Sequence, residues 1–387
     1  MRYLVLLQKI ETPISPETKD DGTPCHIHDK NIRDKVRSLT VLYETNEMFR
    51  TNYKKIVKFT HPFDTITSNI KSTFIPNCPL LKITNAFMKQ YEFLEYIDKY
   101  LPTEGTLRMF DVAGAPGMFV FATEYYLAHS STKNKLTLDW HACSLTDDAD
   151  ALTDLYRLYE HNPNRFQPCN VLKEEDIKKC LTKGKFDLIT GDIGSVHGFD
   201  KLQEETHLDL QWGQMVLALN LSHKGSIMFL KMYTFITEES HYLLDILTQY
   251  FEYVYLSKPY TSRLLNDESY IICLNRNEKD CSKLPLTRPK ISHYLSPNEQ
   301  IITTFESTRS DYKIQISSLL TRILEQYPNI TFKALIQNYQ YKIYYNQIAR
   351  LNYLFYNINK GGGEGADGGK NININSEEIK KMLKLMN

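Results

Sequence analysis

Four charged side chains stand where predicted strands and helices would present them to a ligand. Asp192 ends the apolar run FDLITGD, Lys231 ends SIMFLK, and Glu268 comes just before SYIICLN. Lys89 lies upstream on ITNAFMKQYEFLEYI, whose apolar spacing predicts a helix. In an open α/β sheet, ligands bind at the carboxyl ends of the strands. Amines and carboxylates gathered at that edge can move protons at a bound substrate.

A glycine-rich turn follows the first of the predicted core strands. The strand LRMFDV ends near Asp111 and runs into AGAPGMFVFATEYYL. Gly114 and Gly117 have no Cβ, so a ligand can approach the backbone closely there, and Pro116 stiffens the turn. A strand, a glycine-rich turn and a helix indicate a nucleotide-like ligand site. A plain tight turn is the alternative, and the dinucleotide fingerprint GxGxxG is absent.

The elements that must position these residues alternate between residues 80 and 278. Helical stretches, such as the one from Thr206 to Leu221, separate short apolar runs. The runs are 107–112, 136–143, 186–192, 226–231, 251–257 and 269–275. Strands that alternate with helices predict an α/β fold, with a mostly parallel sheet and helices on both faces.

Composition narrows the class of protein. The chain has 387 residues, 42% of them hydrophobic, with 46 basic and 46 acidic side chains and no net charge. It can bury a core, so it is not a disordered protein, and the charge balance argues against one that coats nucleic acid by bulk attraction. Seven scattered cysteines suit a reducing compartment. Without an apolar stretch long enough to span a membrane, a cytoplasmic location is expected.

The flanks differ from the alternating core, which we bound at 80–290. Residues 1–79 predict an N-terminal arm with a short first strand and a basic helix at 30–58, where eight basic residues face three acidic ones. This helix could be a solvated face or an RNA-facing surface. Residues 291–359 predict a helical C-terminal extension. Residues 360–387 predict a glycine-rich linker and a short amphipathic helix capped by Ser376.

The ordered set of motifs resembles a known family. DVAGAPGMF, GDIG, FLKMYT and KPYTSRLLNDESYIICL look like the FtsJ/RrmJ-like ribose 2′-O-methyltransferases. Within that group they look most like the Adrift-type cap methyltransferases and the FtsJ-like proteins of large cytoplasmic DNA viruses of the asfarvirus kind. The resemblance covers about residues 80–278. It implies a Rossmann-like methyltransferase fold that uses S-adenosyl-L-methionine.

The resemblance also implies catalytic residues. The family's Lys-Asp-Lys-Glu tetrad corresponds to Lys89, Asp192, Lys231 and Glu268, although Lys82 and Lys99 lie close to Lys89 in sequence. A ribose 2′-hydroxyl needs a base, and Lys231 is expected to serve as one. Burial and the cation of Lys89 would lower its pKa. Asp192 and Glu268 would orient the amines, and no metal is required because the methyl group is activated on sulfonium.

The cofactor positions implied by the family are more numerous. They are Asp111, Gly114, Ala115, Pro116, Gly117, Phe119, Asn170 and Asp192. Asn170 stands where an aspartate is more usual in the family, which puts the contact with the adenine in question. The acid or hydroxyl that would hold the ribose is left open between Ser144 and Asp147. The motif CHIH offers Cys25 and His28 as metal ligands, but no second pair follows, so no metal site is predicted.

For the substrate, the resemblance implies RNA, with the first transcribed nucleotide of 5′-capped mRNA favoured. Ser262 and Arg263, in the loop before Glu268, are the expected substrate contacts. Other capping or transcription proteins are possible partners, a membrane is not, and a viral chain would act in the host cytoplasm or the virion. A methyltransferase-fold subunit that binds RNA or a capping partner without catalysis is the alternative. A nucleotide-dependent oxidoreductase is disfavoured by the missing GxGxxG.

Overall fold

The protein is described from a computed structural model. It describes residues 3–12, 14–18, 34, 47, 51, 84–146, 158–194, 203–263 and 265–326. The predicted helix at 30–58, apart from three single positions, lies outside these ranges. So do the CHIH motif, Asp147, the glycine-rich linker and the final helix.

Ten strands lie in the described ranges. In chain order they are β1 (Tyr3–Leu6), β2 (Glu17–Thr18), β3 (Glu104–Val112), β4 (Lys135–Ser144), β5 (Phe166–Pro168), β6 (Phe186–Gly191), β7 (Ser222–Met232), β8 (Phe251–Lys258), β9 (Ser269–Arg276) and β10 (Ile291–His293). β2 and β10 form a separate antiparallel pair. The other eight form one sheet in the order β1-β8-β9-β7-β6-β3-β4-β5.

The sheet is mostly parallel, as the alternating pattern predicts. Neighbours are parallel from β7 through β6, β3 and β4 to β5. β9 is antiparallel to both β7 and β8, and β1 is antiparallel to β8. The start of β9 therefore lies at the same edge as the end of β7, and register pairs Lys231 with Tyr270.

Seven α-helices occupy the same ranges. They are α1 (Asn85–Ile97), α2 (Met118–His129), α3 (Leu158–His161), α4 (Glu174–Leu181), α5 (Gln203–Leu221), α6 (Glu238–Tyr250) and α7 (Glu299–Gln326). The Thr84 hydroxyl caps α1 and the Thr237 hydroxyl caps α6, each by accepting from a backbone N–H of the first turn.

Two hydrophobic clusters cover the two faces of the sheet. Residues of β3 alternate between them: Leu107 and Met109 join the cluster with α1 and α2, while Phe110 and Val112 join the cluster with α4, α5 and α6. This alternation is the period of two along a strand. Helices on both faces were predicted, and the structure confirms them.

All six predicted apolar runs form strands, and the predicted helix from Thr206 to Leu221 lies within α5. The strand β5 was not predicted, because three residues are too short for a periodic pattern. The helix α5 ends at Leu221, the predicted residue, and Gly225 lies within β7 at a φ of 86°.

The flanking segments contact the core sheet. β1 pairs with β8, and Ile302 and Phe305 of α7 belong to the same buried cluster as α5 and α6. Residues 291–326 are not wholly helical, because β10 precedes α7. The division into four segments stays a prediction. Within the described ranges, none of the helices combines the length and apolar character needed to cross a membrane.

Candidate functional site

The topology brings the four predicted tetrad residues to one edge of the sheet. Asp192 follows the last residue of β6, and Lys231 lies one residue before the end of β7. Glu268 directly precedes β9, whose antiparallel direction turns its start toward that edge. Lys89 reaches the edge from the second turn of α1.

Each lysine of the tetrad contacts both carboxylates. Lys89 Nζ lies 2.8 Å from Glu268 Oε2 and 3.8 Å from Asp192 Oδ2. Lys231 Nζ lies 3.5 Å from Asp192 Oδ1 and 3.8 Å from Glu268 Oε2. The side chains of Lys89 and Glu268 are nearly buried, while Asp192 keeps 23% of its side chain exposed. The cluster is therefore a compact set of two cations and two anions with an open side.

A fifth side chain, Tyr270, completes the hydrogen bonding of the cluster. Lys89 Nζ donates to the tyrosine hydroxyl at 2.8 Å, and the hydroxyl donates to Asp192 Oδ1 at 2.7 Å. The fully buried ring stacks on Phe229 at a centroid distance of 4.5 Å. The sequence analysis missed this residue. Its signal was the spacing ESY, because residues two apart in a strand point to the same face.

Tyr270→Phe tests the part played by this hydroxyl. The ring stacking would survive, but Lys89 and Asp192 would each lose one hydrogen bond to the hydroxyl. Hydrogen bonds to charged groups contribute about 1.5–3 kcal/mol, so we expect the single-turnover rate of the reaction carried out at this cluster to fall roughly ten- to a hundredfold. Tyr253→Phe on β8 is the matched control. If Tyr270→Phe reacted at the wild-type rate, Tyr270 would contribute only through the packing of its ring.

The charges of the cluster set the protonation of Lys231. Burial lowers the pKa of Lys231, but the carboxylates of Asp192 and Glu268 raise it by more, so it lies above the usual 10.5. The expectation of a lowered pKa is wrong for this arrangement. The reason is that two anions lie within 4 Å of the amine, whereas the expectation rested on burial and on the cation of Lys89.

Glu268 is the most strongly held anion of the cluster. Burial raises the pKa of its carboxyl group, but the cations of Lys89, Lys231 and Lys258 lower it by more, leaving it far below the usual 4.5. Ser262 Oγ donates to Glu268 Oε1 at 2.7 Å, so both carboxylate oxygens are engaged. Glu268 is therefore ionised across the physiological range.

Two further charged residues hold the loop of residues 259–268, which we name the site loop. Glu92 of α1 is fully buried and accepts from the backbone N–H groups of Tyr260 and Thr261, each at 3.1 Å. Lys258 Nζ donates to Asn266 Oδ1 and to the backbone oxygen of Glu268, each at 2.5 Å. The helix that carries Lys89 thus also fixes the loop that carries Ser262 and Glu268.

A buried glutamine ties together the two strand ends that carry Asp192 and Lys231. Gln214 of α5 donates from Nε2 to the backbone oxygen of Lys231 at 3.1 Å. Its Oε1 accepts from the backbone N–H of Ile193 at 3.3 Å. The ends of β6 and β7 are therefore held at a constant separation.

The predicted substrate contacts lie in the site loop with different exposures. Ser262 is 1% exposed, and its hydroxyl is engaged with Glu268, whereas Arg263 next to it is exposed. Arg263 is thus placed to meet a ligand outside the cluster. Contact of either residue with a substrate stays a prediction.

The glycine-rich turn lies at the same edge, between β3 and α2. Asp111 is buried, and its Oδ1 accepts from the Thr190 hydroxyl at 2.8 Å. Burial raises the pKa of Asp111 to about 7. A Cβ on Gly114 would lie 2.7 Å from Asp111 Oδ2, and Gly117 begins α2 with a φ of 92°. Only glycine avoids the clash of a Cβ with Asp111 at the first position and the strain of a positive φ at the second.

Other predicted cofactor residues have structural roles that are visible. Ala115 and Pro116, joined by a cis peptide bond, form the turn between the two glycines. Phe119 is 2% exposed and stacks on Phe229 within the core. Asn170 Oδ1 accepts from Leu172 N at 3.0 Å, so the side chain stabilises the turn before α4. Their contact with a cofactor stays a prediction.

This turn fits the methionine end of S-adenosyl-L-methionine. The start of α2 presents the backbone N–H groups of a first helical turn and the positive end of a helix dipole, which suit a carboxylate. A buried carboxyl group such as Asp111 suits an amino group, because a cation alongside it would restore its ionised form. Asp192 lies between this turn and the two lysines, at the end of β6.

One group of metal-ligating type occurs among the described residues. The sulfur atoms of Cys143, Cys169 and Cys180, all buried, lie within 4.8 Å of one another. The group contains no residue of the tetrad. That the reaction needs no metal stays a prediction.

The chain is similar to several known proteins. The family model described as FtsJ-like methyltransferase matches residues 82–276, about half of the chain. "Probable methyltransferase EP424R" of African swine fever virus is 29% identical over 301 residues, which cover 70% of this chain and 66% of that protein. "Cap-specific mRNA (nucleoside-2'-O-)-methyltransferase 2" of Drosophila melanogaster is 28% identical over 57% of this chain and 34% of its own length.

The matched part of this chain spans about two thirds of the length of the first relative and about one third of the length of the second. A solved ribosomal RNA methyltransferase from Plasmodium falciparum is 18% identical, with a TM-score of 0.35, over 49% of this chain and 97% of that one. Because the family model covers half of the sequence and includes the turn and all four tetrad residues, the chain belongs to the FtsJ-like methyltransferase family.

Proposed function

We propose that this protein transfers a methyl group from S-adenosyl-L-methionine to a ribose 2′-hydroxyl of RNA. The favoured substrate is the first transcribed nucleotide of 5′-capped mRNA. The observation that carries the proposal is the contact of Lys89, Asp192, Lys231 and Glu268 in one partly open cluster beside the glycine-rich turn. The named relatives include cap-specific mRNA methyltransferases, which favours a cap over structural RNA.

When bound, the cofactor supplies an electrophilic methyl group on a sulfonium. Gly114 and Gly117 let the backbone approach it, and Asp111 and the start of α2 would hold its methionine end. Asp192 would lie between the cofactor and Lys231, where its carboxylate orients the amine. Lys231 Nζ would accept the proton of the ribose 2′-hydroxyl as the hydroxyl oxygen becomes methylated.

Lys231 must first lose a proton to accept one. Its pKa is raised in the present arrangement by Asp192 and Glu268, which outweigh burial. A second cation close to the amine shifts this balance, since like charges disfavour the protonated form. The sulfonium of the bound methyl donor is such a cation. Beside such a charge Lys231 would hold its proton less tightly, and it would pass that proton to solvent through the open side of the cluster, where the lysine side chain is 15% exposed.

The decisive experiment is methyl transfer from labelled S-adenosyl-L-methionine to short RNAs. Three substrates are needed: a capped RNA, the same RNA without a cap, and the capped RNA with a 2′-O-methyl group already on its first nucleotide. We expect transfer to the first only. Equal transfer to the uncapped RNA would indicate that the substrate is a structural RNA and not a cap. Cofactor binding without transfer to any RNA would favour the alternative, a binding subunit of a capping assembly.

A further inference from the structure

The helix α7 (Glu299–Gln326) lies outside the family-matched residues, which end at 276, and contacts the residues on either side of Glu268. Its first half is anchored in the core: Ile302 and Phe305 are buried, and the Phe305 ring lies 6.1 Å from that of Phe235. Two further turns along, the same helix meets the site loop.

Two basic side chains of α7 hold the residues on either side of Glu268. Arg309 Nη1 donates to the backbone oxygen of Asp267 at 2.8 Å and also to Ser269 Oγ. Lys313 Nζ pairs with the carboxylate of Asp267. The two side chains of α7 therefore contact the chain at the residue before Glu268 and at the residue after it.

Both cations are buried. Arg309 is 2% and Lys313 is 3% exposed, and Arg309 Nη2 also donates to the fully buried Glu306 at 2.8 Å. The two cations thus meet one fully buried carboxylate, Glu306, and one partly buried carboxylate, Asp267, whose side chain is 28% exposed. Unlike a surface ion pair, such a set is weakly screened and is costly to break on one side.

The direction of Glu268 depends on this grip. Successive side chains along an extended backbone point to opposite faces, so fixing residues 267 and 269 fixes where residue 268 points. Glu268 must reach Lys89 at 2.8 Å and Lys231 at 3.8 Å. A displacement of about 1 Å at a reacting centre can slow a reaction by roughly 10²-fold.

We propose that Arg309 and Lys313 are positioning residues for the reaction, so that the C-terminal extension is part of the active site. They hold Asp267 and Ser269, and thereby keep the Glu268 carboxylate between the two lysines. This inference rests on the proposed function, since it names further residues that the same site requires.

The test uses the full chain and four variants. Arg309→Met and Lys313→Met each remove one set of contacts to Asp267 and Ser269. Arg309→Lys keeps the positive charge but loses the planar guanidinium. Arg322→Met is the control, since Arg322 is an exposed cation of the same helix. We expect kcat for RNA methylation to fall about ten- to a hundredfold in the two Met variants. Arg309→Lys should be intermediate. The dissociation constant of S-adenosyl-L-methionine should not change, because Arg309 and Lys313 contact Asp267 and Ser269 and not residues 113–117 of the glycine-rich turn.

A second readout keeps the test informative if a variant is unstable or the protein lacks activity. The double variant Glu306→Gln/Arg309→Met removes both partners of one buried pair and leaves no unpaired charge there. Carbon NMR of labelled glutamate would report the pKa of Glu268, which should rise toward 4.5 in Arg309→Lys, where the total charge is unchanged.

The outcomes separate the two proposals. Wild-type kcat and an unchanged Glu268 titration in folded Arg309→Met would overturn the inference. So would an equal loss of cofactor binding and kcat, which indicates a general structural role. A wild-type protein that methylates no RNA contradicts the proposed function, whereas the NMR titration still decides whether α7 positions Glu268.

Discussion

Lys231→Met should slow methyl transfer by a factor of about 10² to 10⁴, the usual contribution of a positioned acid or base. The substitution keeps the length of the side chain in the pocket but removes the amine that lies between Asp192 and Glu268. The loss should appear in kcat rather than in the affinity for S-adenosyl-L-methionine, because the glycine-rich turn is unchanged. Single-turnover kinetics with capped RNA and calorimetric binding of the cofactor measure the two quantities separately.

The control for this variant is Lys224→Met on the same strand. Lys224 is 71% exposed and pairs with Glu278 at 2.9 Å, so its loss should leave the rate unchanged. If Lys231 is the base, the wild-type rate should rise with pH, because the raised pKa keeps the amine protonated at neutral pH. A Lys231→Met rate equal to the wild-type rate would remove Lys231 from the mechanism.

The second large effect is expected from Glu268→Gln. The carboxylate of Glu268 faces the amines of Lys89 and Lys231. Breaking a buried ion pair on one side typically costs about 3–5 kcal/mol of folding free energy, so the free energy of unfolding should fall markedly. Methyl transfer should fall as well, because Lys231 would lose one of its two anionic neighbours. Urea unfolding and the RNA assay measure the two effects, and Glu278→Gln at the exposed pair is the matched control.

The pH dependence of stability distinguishes the charge of Glu268 from its packing. Its pKa is lowered on folding, so ionisation stabilises the folded state above the unfolded value of about 4.5, and that stabilisation is lost as pH falls toward the folded value. The wild type should therefore lose more unfolding free energy on acidification below pH 4.5 than Glu268→Gln does. Parallel acid profiles would mean that Glu268 contributes through shape alone.

Local patterns were enough to predict the fold and the positions of several candidate site residues. A strand is recognised by a short apolar run and a turn by its glycines, so the ends of β3, β6 and β7, and with them Asp111, Asp192 and Lys231, were located correctly. Parallel strands separated by helices must present their carboxyl ends at one edge. The family motifs then assigned Glu268 and Lys89 to the same edge.

Contacts between segments that are far apart in the sequence could not be predicted from local patterns. Lys89 and Glu268 are 179 residues apart, and it is the packing of α1 that buries Lys89 while Lys99 stays exposed. The hydroxyl of Tyr270 and the backbone hydrogen bonds of Glu92 to the site loop likewise join segments that are far apart in the sequence. The identity of such a residue in the sequence is the same whether its side chain is exposed to water or buried against a partner.

The sequence by itself determined the order of strands and helices and which charged residues end them, because these depend on local periodicity. Only the tertiary structure decided the charge state of Lys231 and the attachment of α7 to the residues beside Glu268. A pKa depends on the sum of all nearby charges and on burial, and neither is defined until distant segments meet. The same holds for Arg309 and Lys313, whose role exists only because the folded chain places α7 against the site loop.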